Sequence, residues 1–108
     1  MREIKFRAYA QADKTWHYWD VYGEYPQGIY GGLSEPQQYT GLKDKNGVEI
    51  YEGDLIISDH WNSQEHLVVK WDEDVCMFYA CLLSGGDRIN MGESKKTVVG
   101  NIFEGVHR

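Results

Sequence analysis

The sequence predicts a mainly β fold with little helix, and three features favour it. Aromatic residues are plentiful, with four Trp, eight Tyr and three Phe among 108 residues. Twelve glycines and only two prolines accompany them, a composition typical of strands joined by glycine turns. Several segments alternate polar and apolar residues with the period of two that a half-buried strand requires. One domain, residues 1–108, is expected at this length, although two small β-lobes that share a core also fit it, and the chain can fold without a disulfide or a metal.

Residues 1–22 are predicted to form a β-hairpin. Residues 3–9 alternate in polarity and read as the first strand, and residues 11–14 are a polar break. Residues 15–22 (TWHYWDVY) return as the second strand, with rings on both faces.

Residues 23–37 are expected to form an irregular connection, because Pro26 and Pro36 cannot lie in a central strand. One short helical turn is predicted there, since Ser34 and Gln37 have the spacing of a capping box and Pro36 suits a first helical turn.

The central stretch QYTGLKDKNGVEIYEGDLI carries the strongest turn signal, Asn46-Gly47. A two-residue turn on this pair would place Asp44 opposite Glu49, which is a like-charge pair. A type I turn over residues 44–47 followed by a glycine bulge instead pairs Lys43 with Glu49. Opposite charges across strands are stabilising, so we expect the second register.

The same register pairs Leu42 with Ile50. Gly47 then needs a positive φ, and Gly47→Val should destabilise the protein by about 1–2 kcal/mol. A second sharp corner is expected at Gly53-Asp54, releasing the chain into the next strand. The turn residues Asp44, Asn46, Gly47, Gly53 and Asp54 are therefore interpreted as architectural.

Further strands are expected over residues 54–58, 67–71, 75–83 and 97–103, with a turn at residues 72–74 and an irregular connection over residues 88–96. Residues 38–104 are predicted to form a small SH3-like barrel on which the N-terminal hairpin packs. Residues 75–83 (VCMFYACLL) are apolar on both faces, so this strand must be covered twice, as a central strand or at a subunit interface. A helix is the alternative interpretation of this run.

Cys76 and Cys81 lie within that run, five residues apart. In a regular strand they point to opposite faces and cannot pair with each other. We expect both to be reduced thiols of the core.

Three separated blocks resemble the YopX-like family of phage and prophage proteins: REIKFRAY, QYTGLKDKNGVEIYEGDLI and VVGNIFE. Their order and approximate spacing fit, although family members often have Trp in place of Tyr9 and Asn in place of Gly105. The resemblance implies an intracellular phage-derived protein of mostly β architecture, and it supplies no catalytic residues. It also implies that residues 57–96 carry the specificity of this protein.

The formal net charge of −6 is spread evenly, and each half of the chain carries −3. A uniformly acidic protein is repelled by the polyanionic nucleic-acid backbone, so nucleic acid is disfavoured as a partner. The N-terminus offers no apolar run for a signal peptide or a membrane span. The protein is therefore expected in the bacterial cytoplasm, without a membrane partner.

A metal site is not expected, because Asp59, His60 and His66 lack zinc-motif spacing and Cys76 and Cys81 face opposite ways.

No catalytic site or cofactor is expected either. The acids of residues 72–74 are typical of a solvated turn. The glycines of residues 30–34 lack the Lys or the spacing of a phosphate loop. Cys76 lies in an apolar run, which raises the pKa of a thiol.

The leading hypothesis is a non-enzymatic module that binds a host or phage protein, or assembles with itself as a homo-oligomer. An excess of aromatic residues surrounded by acidic residues suits a protein-binding surface. The candidate contact residues are Tyr39, Thr40, Lys43, Trp16 and Tyr18. The sequence leaves open whether Trp61 and the two loop histidines take part.

The alternative hypothesis is a barrel that binds single-stranded nucleic acid, in which Trp16, Tyr18 and Trp19 stack bases beside Lys5 and Arg7.

Overall fold

The computed structural model describes residues 4–23, 31–58, 66–83, 88–90 and 96–106. Every regular element in these ranges is a strand, which confirms the prediction of a mainly β fold with little helix. The ten strands are β1 (Lys5–Ala10), β2 (Thr15–Asp20), β3 (Gln37–Lys43), β4 (Glu49–Tyr51), β5 (Asp54–Ser58), β6 (Leu67–Asp72), β7 (Met77–Leu82), β8 (Arg88–Asn90), β9 (Lys96–Asn101) and β10 (Gly105–Val106).

The strands form two antiparallel sheets. The first has the order β2-β1-β3-β4, and the second has the order β10-β9-β5-β6-β7-β8. Within the described residues no pairing joins β8 to β10, so the second sheet is open and the SH3-like barrel is not closed. The sharp corner at residues 52–53 carries the chain from the first sheet into the second.

The N-terminal hairpin forms as predicted, with β1 and β2 paired over all six residues from Lys5–Asp20 to Ala10–Thr15. β2 ends at Asp20, two residues earlier than expected. The reason is a turn in which Asp20 Oδ1 accepts a hydrogen bond from Tyr22 N at 2.9 Å and Asp20 O accepts one from Gly23 N at 3.1 Å.

The predicted helical turn near Ser34 is wrong. Residues 32–36 are irregular, and Gln37 already begins β3. Ser34 instead forms two hydrogen bonds with β1. Tyr9 N donates to Ser34 Oγ at 2.9 Å, and Ser34 N donates to Tyr9 O at 2.9 Å. These long-range hydrogen bonds replace the local ones that a capping box would supply. Pro26 lies outside the described residues.

The turn between β3 and β4 confirms the charge-based register. Lys43 pairs with Glu49, Gly47 has a φ of 84°, and Gly47 N donates to Asp44 O at 3.0 Å. The expected Leu42–Ile50 pair is wrong, because the register shifts between Tyr39 and Lys43. Leu42 is consequently exposed while Ile50 is buried.

Asp44 also fastens this hairpin to the second sheet. Its Oδ1 accepts from Asn46 N and Val48 N within the turn, at 2.8 and 2.9 Å. Its Oδ2 accepts from Val98 N of β9 at 3.0 Å, and Lys45 N donates to Lys96 O at 3.0 Å. The turn residue is thus a buried link between the sheets.

The strand predicted over residues 75–83 begins later than expected. Val75 and Cys76 lie in the turn of residues 73–76 and are exposed, and β7 starts at Met77. Cys76 has a φ of 53°, a left-handed conformation that does not occur within a regular strand, so β7 begins after it. The expectation of two core thiols is therefore wrong for Cys76, although both cysteines are free and Cys81 is buried.

From Phe78 onward β7 is covered on both faces, as predicted for its centre. One apolar cluster contains Ile50, Ile56, Leu67, Val69, Phe78 and Ala80. The other, across the same sheet, contains Leu55, Val68, Cys81 and Val99.

The connection predicted over residues 88–96 contains a short strand that sequence patterning missed. β8 pairs with β7, and the exposed ion pair between Arg88 Nη2 and Asp72 Oδ2, at 2.7 Å, fastens it to the end of β6. The last predicted strand is observed as Lys96–Asn101 and is followed by a turn at residues 102–104.

Candidate functional site

Four buried polar side chains from four strands meet where the two sheets join: Arg7, Gln37, Asp54 and Asn101, here called the Arg7 cluster. Arg7 Nη2 forms an ion pair with Asp54 Oδ1, and Arg7 Nε donates to Gln37 Oε1 at 3.0 Å. Asn101 Nδ2 donates to Gln37 Oε1 and to Asp54 Oδ1, both at 3.2 Å. The two sheets are therefore joined by a charged hydrogen-bonded network.

Aromatic rings enclose the charge of this cluster. The guanidinium carbon of Arg7 lies 4.1 Å from the ring centre of Trp16 and 4.3 Å from that of Tyr51, so the planar group is held between two rings. Tyr51 N donates to Asp54 Oδ2 at 2.8 Å and satisfies the second carboxylate oxygen. Burial raises the pKa of the Asp54 carboxyl, while Arg7, the Tyr51 amide and Asn101 act in the opposite direction.

An open groove of about 470 Å³ lies beside the Arg7 cluster. Gln37 belongs to both, Gly53 of the groove lining directly precedes Asp54 of the cluster, and Phe103 N donates to Asn101 Oδ1 at 2.9 Å, which links the groove wall to the cluster. Gly53 has a φ of 86° and its N–H donates to Val69 O at 2.8 Å. The groove, here called the Trp71 groove, is lined by Glu35, Pro36, Gln37, Glu52, Gly53, Val68, Val69, Lys70, Trp71, Leu83, Ile102 and Phe103.

Apolar side chains on the walls of the Trp71 groove reach solvent. Trp71 is 37% exposed, Leu83 55% and Ile102 51%. Trp71 is held in place by an edge-on contact with Phe78, with ring centres 4.8 Å apart. A fixed ring beside exposed aliphatic side chains is typical of a contact surface for another protein.

The charged groups at the rim of the Trp71 groove are Glu35, Glu52 and Lys70. Among the described residues that line the groove there is no thiol, hydroxyl or imidazole. In the described ranges no group of three or more His, Cys, Asp or Glu side chains is placed to hold a metal ion. Asp59, His60 and Trp61 lie outside these ranges.

The five predicted contact residues occupy different environments. Tyr39 and Thr40 are buried, so neither presents an exposed side chain. Thr40 Oγ1 donates to Ile50 O at 2.8 Å, which bridges β3 and β4 at the register shift. Lys43 and Tyr18 are exposed, and Trp16 is half-buried against Arg7. Their role in binding stays a prediction.

The aromatic residues proposed to stack on nucleic acid, Trp16, Tyr18 and Trp19, do not all lie on one face of the sheet. Tyr18 pairs with Arg7 while Trp19 pairs with Phe6, so Trp19 lies on the opposite face and stacks on Phe6 at 5.9 Å. Lys5 is ion-paired with Glu49, and Arg7 is ion-paired with Asp54. The protein's own carboxylates therefore already neutralise both of these bases.

Sequence patterning missed three of the four members of the Arg7 cluster and most of the Trp71 groove. In the first strand, the alternation of polar and apolar residues places Arg7 on the same face as Lys5, away from Phe6 and Ala8. In the last strand, it assigns no role to Asn101. The only local signal is that Arg7, Asp54 and Asn101 each fall within one of the three blocks quoted above. Arg7 and Asn101 each bond to Asp54 from 47 residues away in the sequence, so the tertiary fold brings these three residues together.

The architecture defines a small protein of two antiparallel sheets joined through a buried Arg–Asp network, with an apolar groove beside that junction. A family model described as YopX protein matches residues 33–107, and the chain belongs to this family. The match includes the Trp71 groove, Gln37, Asp54 and Asn101, while the β1–β2 hairpin that supplies Arg7 lies before it. No curated protein matches the chain. In the described residues no helix is long and apolar enough to cross a bilayer.

Proposed function

We propose that this protein is a phage-derived, non-enzymatic binding module of the bacterial cytoplasm that holds a segment of a host or phage protein in the Trp71 groove. One observation carries the proposal: Trp71, Leu83 and Ile102 leave apolar surface exposed around a concavity of about 470 Å³. Exposed apolar patches rimmed by polar groups mark interaction sites in soluble proteins.

The groove is also built to stay in shape without a partner. Its floor at Gly53 is fixed by hydrogen bonds to Val69 O and from Ile102 N, and Gln37 is held by Arg7 and Asn101. A preformed concave site loses little conformational entropy on binding. The concave shape favours recognition of an extended segment over a flat protein surface.

The rim specifies the chemistry of the partner. Glu35 and Glu52 outnumber Lys70, and the whole chain carries −6. Charge complementarity then favours a partner segment in which apolar side chains are followed by Lys or Arg, and it excludes acidic segments.

The test is a comparison of variants in affinity capture from bacterial lysate, with and without phage proteins. Leu83→Lys and Ile102→Lys place a charge on the groove wall. Val48→Lys is the matched control, since Val48 is 48% exposed and does not line the groove. We expect a protein that is recovered with the parent chain and with Val48→Lys, and lost with both groove variants. Recovery of the same proteins with all four baits would contradict the proposal.

A further inference from the structure

We propose a second interaction surface: the outer edge of β2 pairs with β2 of a second copy, antiparallel and centred on His17, to form a symmetric dimer. The four-stranded sheet of one copy would then continue into the four-stranded sheet of the other copy. This surface lies outside the Trp71 groove and outside the residues that the family model matches.

The edge of β2 is suited to strand pairing. β2 ends the order β2-β1-β3-β4, and in the described part of the chain no strand pairs with its other side. All six residues follow β1 without a bulge, and TWHYWD contains no proline, glycine or lysine. Natural edge strands are usually blocked by a bulge, a proline or a lysine, and β2 has none of these.

Symmetry and overlap together restrict the register to two choices. Two antiparallel edge strands of identical copies are related by a twofold axis normal to the sheet, so each residue must oppose one on the same face. Since faces alternate along a strand, the axis must pass through a residue, and the two copies of β2 overlap most when that residue is His17 or Tyr18, the two central residues of the strand.

Charge selects between these registers. With the axis at His17, Lys14, the turn residue just before β2, lies beside Asp20 at the far end of β2 of the second copy, and Trp16 lies opposite Tyr18. With the axis at Tyr18, Asp20 faces a Trp16 ring, and Lys14 has no acidic partner. Opposite charges and paired rings across strands are stabilising, so the register centred on His17 is favoured. The contact also covers Tyr18, which is 57% exposed in the single chain.

The ion pairs at the two ends give the decisive test. Lys14 has a φ of 58°, a conformation that Asp tolerates well, so Lys14→Asp suits the turn while placing two acids opposite each other in the dimer. Sedimentation velocity over a concentration series measures the dissociation constant. We expect concentration-dependent dimers of the parent chain, and a dissociation constant raised about tenfold or more by Lys14→Asp.

Charge exchange separates this contact from a general effect on folding. The double variant Lys14→Asp, Asp20→Lys should associate more tightly than either single variant, because the pair is restored with its signs reversed, while Asp20→Lys alone also reports the loss of the Tyr22 N hydrogen bond. Lys45→Asp makes the same charge change in an exposed turn of another hairpin and should leave association unchanged. Thermal unfolding of each variant shows whether it is folded.

A disulfide trap tests the register independently of charge. In a Cys76→Ser background, His17→Cys places two thiols at the twofold axis, and oxidation should yield a covalent dimer. Tyr18→Cys should not, because its thiol faces Trp16 of the second copy. A parent chain that stays monomeric, dimers insensitive to Lys14→Asp, or a trap that works only at Tyr18 would each overturn the proposal. Leu83→Lys should leave the dimer intact, so a failure of the groove proposal is recognised separately.

Discussion

Gly53→Ala should cost about 3 kcal/mol of unfolding free energy, far more than adding one methyl group suggests. The φ of 86° is unfavourable for any residue with a Cβ, at a cost of about 1–2 kcal/mol. A Cβ at this position would also lie 2.1 Å from Gln37 Nε2 and 3.0 Å from Gln37 Cδ. Gln37 must then move, although its Oε1 accepts from Arg7 and Asn101 inside the protein.

Displacing Gln37 leaves buried donors without their acceptor, which costs about 1–3 kcal/mol. Gly47→Ala is the matched control, because its φ is 84° and a Cβ there meets nothing within 4 Å. The control should therefore lose only the part due to backbone strain. Urea unfolding with linear extrapolation gives both values.

The difference between the two alanine variants measures the cost of displacing Gln37 from the Arg7 cluster. In a Gln37→Ala background the extra cost of Gly53→Ala should largely disappear, because the obstructing side chain is gone. Equal losses for Gly53→Ala and Gly47→Ala would refute the reasoning, and so would an extra cost that persists without Gln37.

Three further outcomes are expected. Arg7→Met should destabilise by about 3–5 kcal/mol at pH 7, because it leaves Asp54 charged and buried. Since burial raises the pKa of Asp54, the folded state takes up a proton more readily than the unfolded state, and urea unfolding should show part of this loss recovered at acid pH. Burial and Glu49 raise the pKa of the Tyr51 phenol, so stability should fall as pH rises above about 10, and by less in Tyr51→Phe. In the native protein a thiol reagent should label exposed Cys76 rapidly and buried Cys81 only on unfolding, and Cys76→Ser should abolish the fast phase.

The local chemistry of the turns was predictable from the sequence. Asn46-Gly47 and the charges of Lys43 and Glu49 specified the central hairpin, because both are set by residues within a few positions of one another. The corner at Gly53 likewise follows from a glycine that needs a positive φ.

One error arose where a distant contact overrides local preference, since Ser34 bonds to β1 instead of capping a helix. Another arose within a local turn, since Cys76 takes a left-handed conformation instead of continuing a strand. The alternation of residues 75–83 cannot show where a strand begins, since an apolar run gives the same pattern in a turn.

The sequence alone determined a mainly β chain, its first two hairpins and its relation to a family. Only the tertiary structure decided that Arg7, Asp54 and Asn101 share one buried network and that a groove opens beside it. The physical reason is that strand periodicity and turn chemistry act over a few residues. Which faces of two sheets meet depends on contacts between strands far apart in the chain.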